Sequence, residues 1–381
     1  MTIDRLTHDL TLRDLSDPAH GPHAMQLLLD QVASALGTAW GVPADVIRTG
    51  PVVSIADNYD RLGYDAAAVT RDSRYSRYVD ADTMLRSHTT AAIPRLLDAL
   101  DNDADHDRVL VLPGLVYRRD SIDRSHVGEP HQVDLWRIRS AADLGEDDLV
   151  RMISVLVDVV LPGARWRTTP TRHPYTTHGR QIDVEVAGRW LELAECGLVP
   201  PELLRRSGLD ADRWSGLALG MGLDRALMLR KGIDDIRLLR AIEPRIADQL
   251  LDLEPWRPVS RLPPIRRDLS IVAEAGVDAE SLGDAVRTSL GSRADALESV
   301  ELVAVTGWAA LPPTARHRLG LRPDQVNALV RLTLRPVTAT MTDATANVLR
   351  DEVYRAIHVG PVQELADPAR RPVVGRARKT G

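Results

Sequence analysis

Eleven residues two-thirds of the way along the chain, Glu254 to Pro264 (EPWRPVSRLPP), carry four prolines. Proline fixes φ and lacks an N–H, so this stretch can be neither a helix interior nor a central strand. It reads as a linker. It divides the 381 residues into a segment of 1–253 and a segment of 265–362. In the second, a strand (Asp268 to Val272) and a helix (Ala279 to Leu290) come first. Strands at Leu297 to Val305 and Asn327 to Leu334 and a helix at Asp343 to Ala356 follow. That β-α-β-β-α series suits a small split βαβ sandwich. Residues 363–381 read as a disordered basic tail, since Asp367 to Gly381 hold five basic residues, one acid and no apolar period.

The longer segment mixes both periods, which points to an α+β fold. His23 to Leu36 places Met25, Leu28, Leu29, Val32 and Leu36 at helical spacing, and Asp147 to Leu161 does likewise. Pro51, Val52, Val53 and Ile55 read as a short strand, Arg71 to Tyr78 as a loop, and Met84 to Leu100 as a strand end followed by a helix. RVLVLPGLVY (Arg108 to Tyr117) is rich in β-formers and interrupted by Pro113-Gly114, so it predicts a strand–turn–strand unit. Gln132 to Ile138 alternates as a strand, and Gln181 to Leu193 reads as a hairpin turning near Ala187-Gly188. Ser215 to Arg230 starts glycine-rich and ends as a helix.

Apolar runs fall far short of the ~18 residues of a membrane span. The opening MTIDRLTHDL lacks a secretory h-region. A single cysteine, Cys196, excludes an internal disulfide framework and a cysteine-based zinc finger, and it suits a reducing, cytoplasmic setting. With a net charge of −6, any nucleic-acid surface is local, built from arginine, because lysine occurs only at Lys231 and Lys379. The chain has no phenylalanine, although tyrosine and tryptophan occur seven times each. Ordinary usage would supply roughly a dozen.

Three clusters carry chemistry. In the first, Arg118 leaves one strand and a polar loop with Asp120 and His126 leads to a strand bearing Gln132 and Asp134. Such an arrangement can grip an anion and a polar ligand together, since arginine's planar fork suits phosphate; the plainer reading is a solvated surface hairpin. In the second, GLALGMGLDR (Gly216 to Arg225), alternating glycines let a ligand approach the backbone before Arg225 projects from a helix start. A tightly packed strand–helix junction would look the same. In the third, LRSHTT (Leu85 to Thr90), His88 lies between hydroxyls and could hold a small polar ligand, or Thr89 or Thr90 could simply cap a helix.

Taken in order, LRSHTT, VYRRDSIDRSH with HQVD, and GLALGMGLDRALMLRKGIDDIR resemble the catalytic core of phenylalanyl-tRNA synthetases; the last two resemble the second and third signature motifs of class II synthetases. PPIRRDLSIV and NALVRLTLRPVTATMTDATANVLRDEVY resemble the ferredoxin-like anticodon-binding domain of the single-chain, organelle-type enzymes. The resemblance implies an antiparallel class II sheet with flanking helices over 1–253 and an anticodon-binding domain over 265–362. It implies an enzyme using ATP and Mg²⁺ that activates phenylalanine or a close aromatic analogue and transfers it to a tRNA, as a monomer or homodimer. By position, Arg118 would hold the α-phosphate, Arg225 the γ-phosphate end, and Glu192 the Mg²⁺. Asp120 and His126 would contact the nucleotide, and Pro130 stands where the family stacks a ring on adenine. His88, Thr90, Gln132 and Asp134 would read the α-amino and carboxylate groups, and Ala218 would floor the side-chain pocket. Arg266 and Arg267 are the expected tRNA contacts.

The sequence departs from the family pattern around that pocket. Phe-Pro-Phe becomes His173-Pro174-Tyr175, Gly-Phe-Ala-Phe-Gly becomes Gly216 to Gly220 with leucines, and a glutamate becomes Asp134. Two explanations compete. One is a pocket re-tuned by His173 and Tyr175 toward a polar aromatic amino acid or an analogue. The other is removal of phenylalanine from the whole chain, giving a backup or resistance-type enzyme that can be translated without it. The second also accounts for Leu217 and Leu219, and it is the expectation carried forward. A stand-alone adenylating enzyme and a non-catalytic tRNA-binding paralogue are the alternatives.

Overall fold

The computed structural model describes residues 1–363 apart from 74, 120–122, 260, 261 and 338. The expected basic tail therefore lies, from residue 364 onward, outside the described residues. The chain divides into two compact units, 1–261 and 262–381.

In the first unit the strands run, in chain order, β1 (Ala44–Val46), β2 (Val52–Ser54), β3 (Arg77–Tyr78), β4 (Thr83–Leu85), β5 (Asp107–Leu115), β6 (His131–Ser140), β7 (Trp166–Pro170), β8 (Thr177–Val186), β9 (Arg189–Leu198) and β10 (Trp214–Gly222). Seven of them form one sheet in the order β1-β5-β6-β10-β9-β8-β7, antiparallel except for the β1–β5 pair; β2, β4 and β3 form a small second sheet. Helices Ala24–Trp40 and Glu146–Val160 pack on each other and against β5, β8 and β9. On the face of the large sheet that carries the even-numbered side chains of β5, β6 and β10, Leu110, Leu112, Trp136, Ile138 and Ala218 join Ile93, Leu97, Leu203 and Leu204 in one apolar cluster. The fold class is thus the antiparallel α+β arrangement expected.

Two local features differ from expectation or explain it. Pro113-Gly114 does not turn the chain: β5 continues through it, paired to β6 from Asp107 to Leu115. The Val109 N–H and the Val111 carbonyl bond outward to Pro43 and Ile47, so the next odd residue, Pro113, presents its missing N–H beyond the end of β1, where no partner is lost. Gly114 is required by a neighbour, since a Cβ there would lie 2.0 Å from Arg86 Nη2. The β8–β9 hairpin turns on Ala187 (φ 50°) and Gly188 (φ 76°), the two left-handed residues that match strand twist.

The second unit is a three-stranded antiparallel sheet of β11 (Ile265–Glu274), β12 (Leu297–Gly307) and β13 (Gln325–Leu334), ordered β11-β13-β12. Helices Ala279–Leu290 and Asp343–Ile357 pack on each other and on the sheet. A short helix, Pro313–Leu319, stands between β12 and β13 where none was expected. Adjacent Arg266 and Arg267 point to opposite faces of β11, as strand alternation requires. Arg266 is exposed. Arg267 turns to its own unit's helix, donating to Asn347 Oδ1 (2.9 Å) and Asp343 Oδ1 (2.6 Å), and so serves packing where a tRNA contact was expected.

Candidate active site

The alternating glycines of β10 now have a physical reason. Gly216, Ala218, Gly220 and Gly222 share one face of the strand, so a trough without large side chains runs along its centre. Rows of neighbours cross it. Gln132 stands opposite Gly222, Asp134 and Glu195 flank Gly220, and Trp136 and Gly197 flank Ala218. The upper half is open. A cavity of about 360 Å³ is lined there by Arg118, His126, Pro130, Gln132, Glu192, Glu195, Gly220, Gly222 and Arg225, among others.

The two arginines approach this cavity from different elements. Arg118 lies just beyond β5; its Nε donates to the Ser87 carbonyl (2.7 Å) and its Nη2 to Gln132 Oε1 (3.2 Å). Arg225 rises from the first turn of helix Leu223–Lys231, with Nη2 3.3 Å from His126 Nε2 and Nη1 4.0 Å from Glu192 Oε1. His126 is oriented by Asp123 Oδ2 at 2.7 Å from Nδ1, a contact that holds the Asp123 carboxyl well below the usual carboxylate range against the opposing effect of burial. Asp120 lies outside the described residues. His131, fully buried, fixes the base of the strand pair: its Nε2 accepts the Leu15 N–H (2.9 Å) and its Nδ1 faces Asp224 Oδ1 at 3.1 Å.

Asp134 is buried between the strand and the loop that carries LRSHTT. Thr89 Oγ1 donates to Oδ2 (2.6 Å), Thr90 Oγ1 to Oδ1 (2.8 Å) and Trp136 Nε1 to Oδ1 (3.2 Å). Burial nonetheless leaves its carboxyl above the usual range. These threonine hydroxyls therefore donate to Asp134 and do not cap the helix. His88 is 7% exposed, and neither ring nitrogen meets a partner at hydrogen-bond geometry. Burial, with Arg118 nearby, pushes it down to about 3, so the ring is neutral. It stacks on Tyr64 (5.8 Å) and Tyr175 (6.4 Å).

One carboxylate was missed in the sequence. Glu195 accepts from Thr171 Oγ1 (3.1 Å) and meets His173 Nε2 at 2.7 Å; the His173 contact, more than offsetting burial, lowers its carboxyl below the usual range. Glu192 and Glu195, three apart, should face opposite ways on a regular strand. They share a face because Leu193 is an extra residue: Ile182 pairs with Ala194 but Asp183 pairs with Glu192.

The lower half of the trough is filled. Trp136 is 0% exposed beside Ala218, and Tyr175 stacks on it at 6.3 Å and on His173 at 5.3 Å. A Cβ on Gly197 would lie 2.7 Å from Thr176 Cβ, and one on Gly216 would lie 2.8 Å from both Ile138 and Val199. Of the residues expected to line one ligand site, the structure gathers Arg118, His126, Pro130, Gln132, Glu192 and Arg225 around the open cavity. His88, Thr90, Asp134, His173, Tyr175 and Ala218 are packed around its inner end.

Among the described residues no three His, Cys, Asp or Glu side chains group as a metal cage. The half-exposed Glu192 carboxylate fits a Mg²⁺ held mainly by nucleotide phosphates, since that ion commonly takes one or two protein carboxylates.

A phenylalanine–tRNA ligase alpha subunit from Prochlorococcus marinus (strain MIT 9313) is 34% identical over 204 residues, 53% of this chain and 59% of that protein. The chain thus matches about three-fifths of that relative's length. A chloroplastic/mitochondrial phenylalanine–tRNA ligase from Arabidopsis thaliana is 29% identical over 327 residues, 81% of this chain and 71% of that protein, so the match runs past the first unit. A solved pyrrolysyl tRNA synthetase from Desulfitobacterium hafniense is 19% identical and aligns over 62% of this chain and 77% of its own, with a TM-score of 0.44. The family described as tRNA synthetases class II core domain (F) matches residues 9–250. Covering well over half of the chain, that match shows that the protein belongs to the class II tRNA synthetase core family.

Proposed function

We propose that the first unit activates an amino acid with ATP and passes the acyl group to the 3′ end of a tRNA. The observation that carries this reading is the convergence of Arg118, Arg225 and Glu192 on one cavity above the side-chain-free face of β10. A carboxylate oxygen of the amino acid attacks the α-phosphorus, the bond to the β-phosphate oxygen breaks, and pyrophosphate leaves. A ribose hydroxyl of the tRNA then attacks the acyl carbon and AMP leaves. Arg118, fixed by Ser87 and Gln132, neutralises charge at the α-phosphate; Arg225 does so at the far end of the triphosphate. His126 and Pro130 flank the nucleotide. Glu192 would hold a Mg²⁺ together with the nucleotide's phosphates, and the ion would supply charge neutralisation there. His88, Thr90, Gln132 and Asp134 orient the amino acid.

The second unit acts as the tRNA-binding domain, with Arg266 on its exposed face. The organellar relative, whose match reaches into this unit, supports that assignment. No helix among the described residues is long and apolar enough to cross a membrane. The relatives' names make phenylalanine the first amino acid to test. The backup or resistance-type role depends on phenylalanine being charged and stands or falls with it.

The test is amino-acid-dependent ATP–pyrophosphate exchange, followed by charging of bulk tRNA. Exchange with charging supports the proposal. Exchange without charging identifies a stand-alone adenylating enzyme. Silence in exchange with tRNA still bound identifies a tRNA-binding paralogue.

A further inference from the structure

The open part of the trough ends at Gly220 and Glu195, short of Ala218, and so it ends in charge. Trp136 lies directly across the strand pair from Ala218, fully buried, and Tyr175 closes over it. Trp136 belongs to the same apolar cluster as Ile138, Val199 and Leu203, and the partly buried Tyr175 packs against that cluster. The space above Ala218 is therefore core, and an aromatic ring could enter it only by expelling rings that already stack there. The cavity stops one row higher, at Gly220 and Glu195. Glu195 sits opposite a residue with no side chain, so its carboxylate reaches open space. Thr171 meets its Oε1 and His173 its Oε2, so one side of each oxygen is held and the carboxylate is positioned at the cavity wall. The chain has thus replaced depth by a positioned hydrogen-bond acceptor.

Resting on the activation reading above, we propose that this site selects an α-amino acid with a short side chain ending in an N–H or O–H donor, which Glu195 accepts, and that it rejects phenylalanine. An ionised acceptor left facing an apolar ring loses its water without gaining a partner, whereas a donor satisfies it. The same geometry accounts for His173 and Tyr175 standing together. His173 positions Glu195, and Tyr175 fills the space that a ring would occupy.

The experiment is ATP–pyrophosphate exchange with the full-length protein and a panel of serine, threonine, 2,3-diaminopropionate, 2,4-diaminobutyrate, histidine, tyrosine and phenylalanine. The expected result is exchange with one of the short donor-bearing acids and a kcat/KM for phenylalanine at least about 10³-fold lower. Glu195→Gln should lower kcat/KM for the preferred acid about 10²-fold while the KM for ATP is unchanged. Tyr175→Ala, a change on a connecting segment, should raise phenylalanine exchange relative to the preferred acid. Trp136→Leu should raise it further if that variant folds. Phenylalanine as the best substrate overturns the inference and leaves the activation reading intact, and an unaltered preference in Glu195→Gln also overturns it. Silence with every acid refutes the activation reading. The inference is then decided by calorimetric binding of aminoacyl-sulfamoyl adenosines. Tighter binding of the 2,4-diaminobutyryl than of the phenylalanyl compound supports it; the reverse order, or binding of neither, overturns it.

Discussion

Removing the Arg77 guanidinium should destabilise the first unit and loosen the nucleotide side of the site together. Its side chain is 3% exposed and lies 2.9 Å from Asp9 Oδ2 and 2.6 Å from Glu129 Oε1, and it donates to the Arg118 carbonyl at 3.0 Å. Arg77→Met leaves the fully buried Asp9 with Arg5 as its charge partner. Breaking a buried pair by removing one member costs about 3–5 kcal/mol. Burial already raises the Asp9 carboxyl above its ordinary value, outweighing the pull of Arg77 and Arg5. Loss of Arg77 raises it further. For an acid whose folded pKa is raised, the penalty is present above that pKa and disappears as the pH falls through it. The variant's deficit, measured by urea unfolding with tryptophan fluorescence, should therefore be largest near pH 7 and shrink toward acid. Asp9→Leu in the same background should recover about half of it or more. With the carbonyl of Arg118 released, the KM for ATP should rise. A deficit below about 1 kcal/mol at pH 7, or one that does not shrink in acid, would refute this account.

Gly114→Ala should destabilise by about 2–4 kcal/mol in the same assay, because the new Cβ overlaps Arg86, itself buried and bonded to Leu115 and Thr49. Arg118→Ala and Arg225→Ala should each lower pyrophosphate exchange by about 10²–10³-fold without unfolding the protein, as circular dichroism would verify. Folding stability should fall as the pH drops below about 6.5, where unfolded histidines take up protons. His88 and His23, pushed by burial to about 3 and about 4, resist protonation while folded, which costs about 2 kcal/mol each by pH 5; His88→Gln should flatten the acid limb. Arg266→Ala should reduce the slope of log affinity for tRNA against log salt by roughly one, while Arg267→Ala should instead lower stability.

Most of the first unit's strands and both of its long helices were legible because their signal is local. The Ala24–Trp40 helix follows from the spacing of Met25, Leu28, Val32 and Leu36, and the β8–β9 hairpin from Ala187-Gly188. Pro113 misled because its cost depends on which side of the strand has a neighbour, and that is set by β1, which pairs with residues 65 positions later. That Arg118 and Arg225 meet at one cavity was legible, because their motifs are compact. Glu195 was not. On a regular strand it faces away from Glu192, and only the extra residue at Leu193 turns the two together. Nor did composition disclose that Trp136 fills the trough, since a tryptophan on an alternating strand reads as ordinary core. Arg267 could not be told from Arg266 until the strand's two faces had been assigned.

The extra residue at Leu193 makes two tasks mechanically one. The carboxylate suited to the metal and the carboxylate proposed to meet the substrate's side chain hang on either side of a single irregularity in one strand. Deleting Leu193 would restore regular alternation and turn one of them out of the cavity, so metal handling and amino-acid choice would be disturbed by the same event. A lineage altering this pocket by point substitution can change the chemistry at position 195 freely. A change in strand length could not shift substrate preference without also touching the nucleotide step.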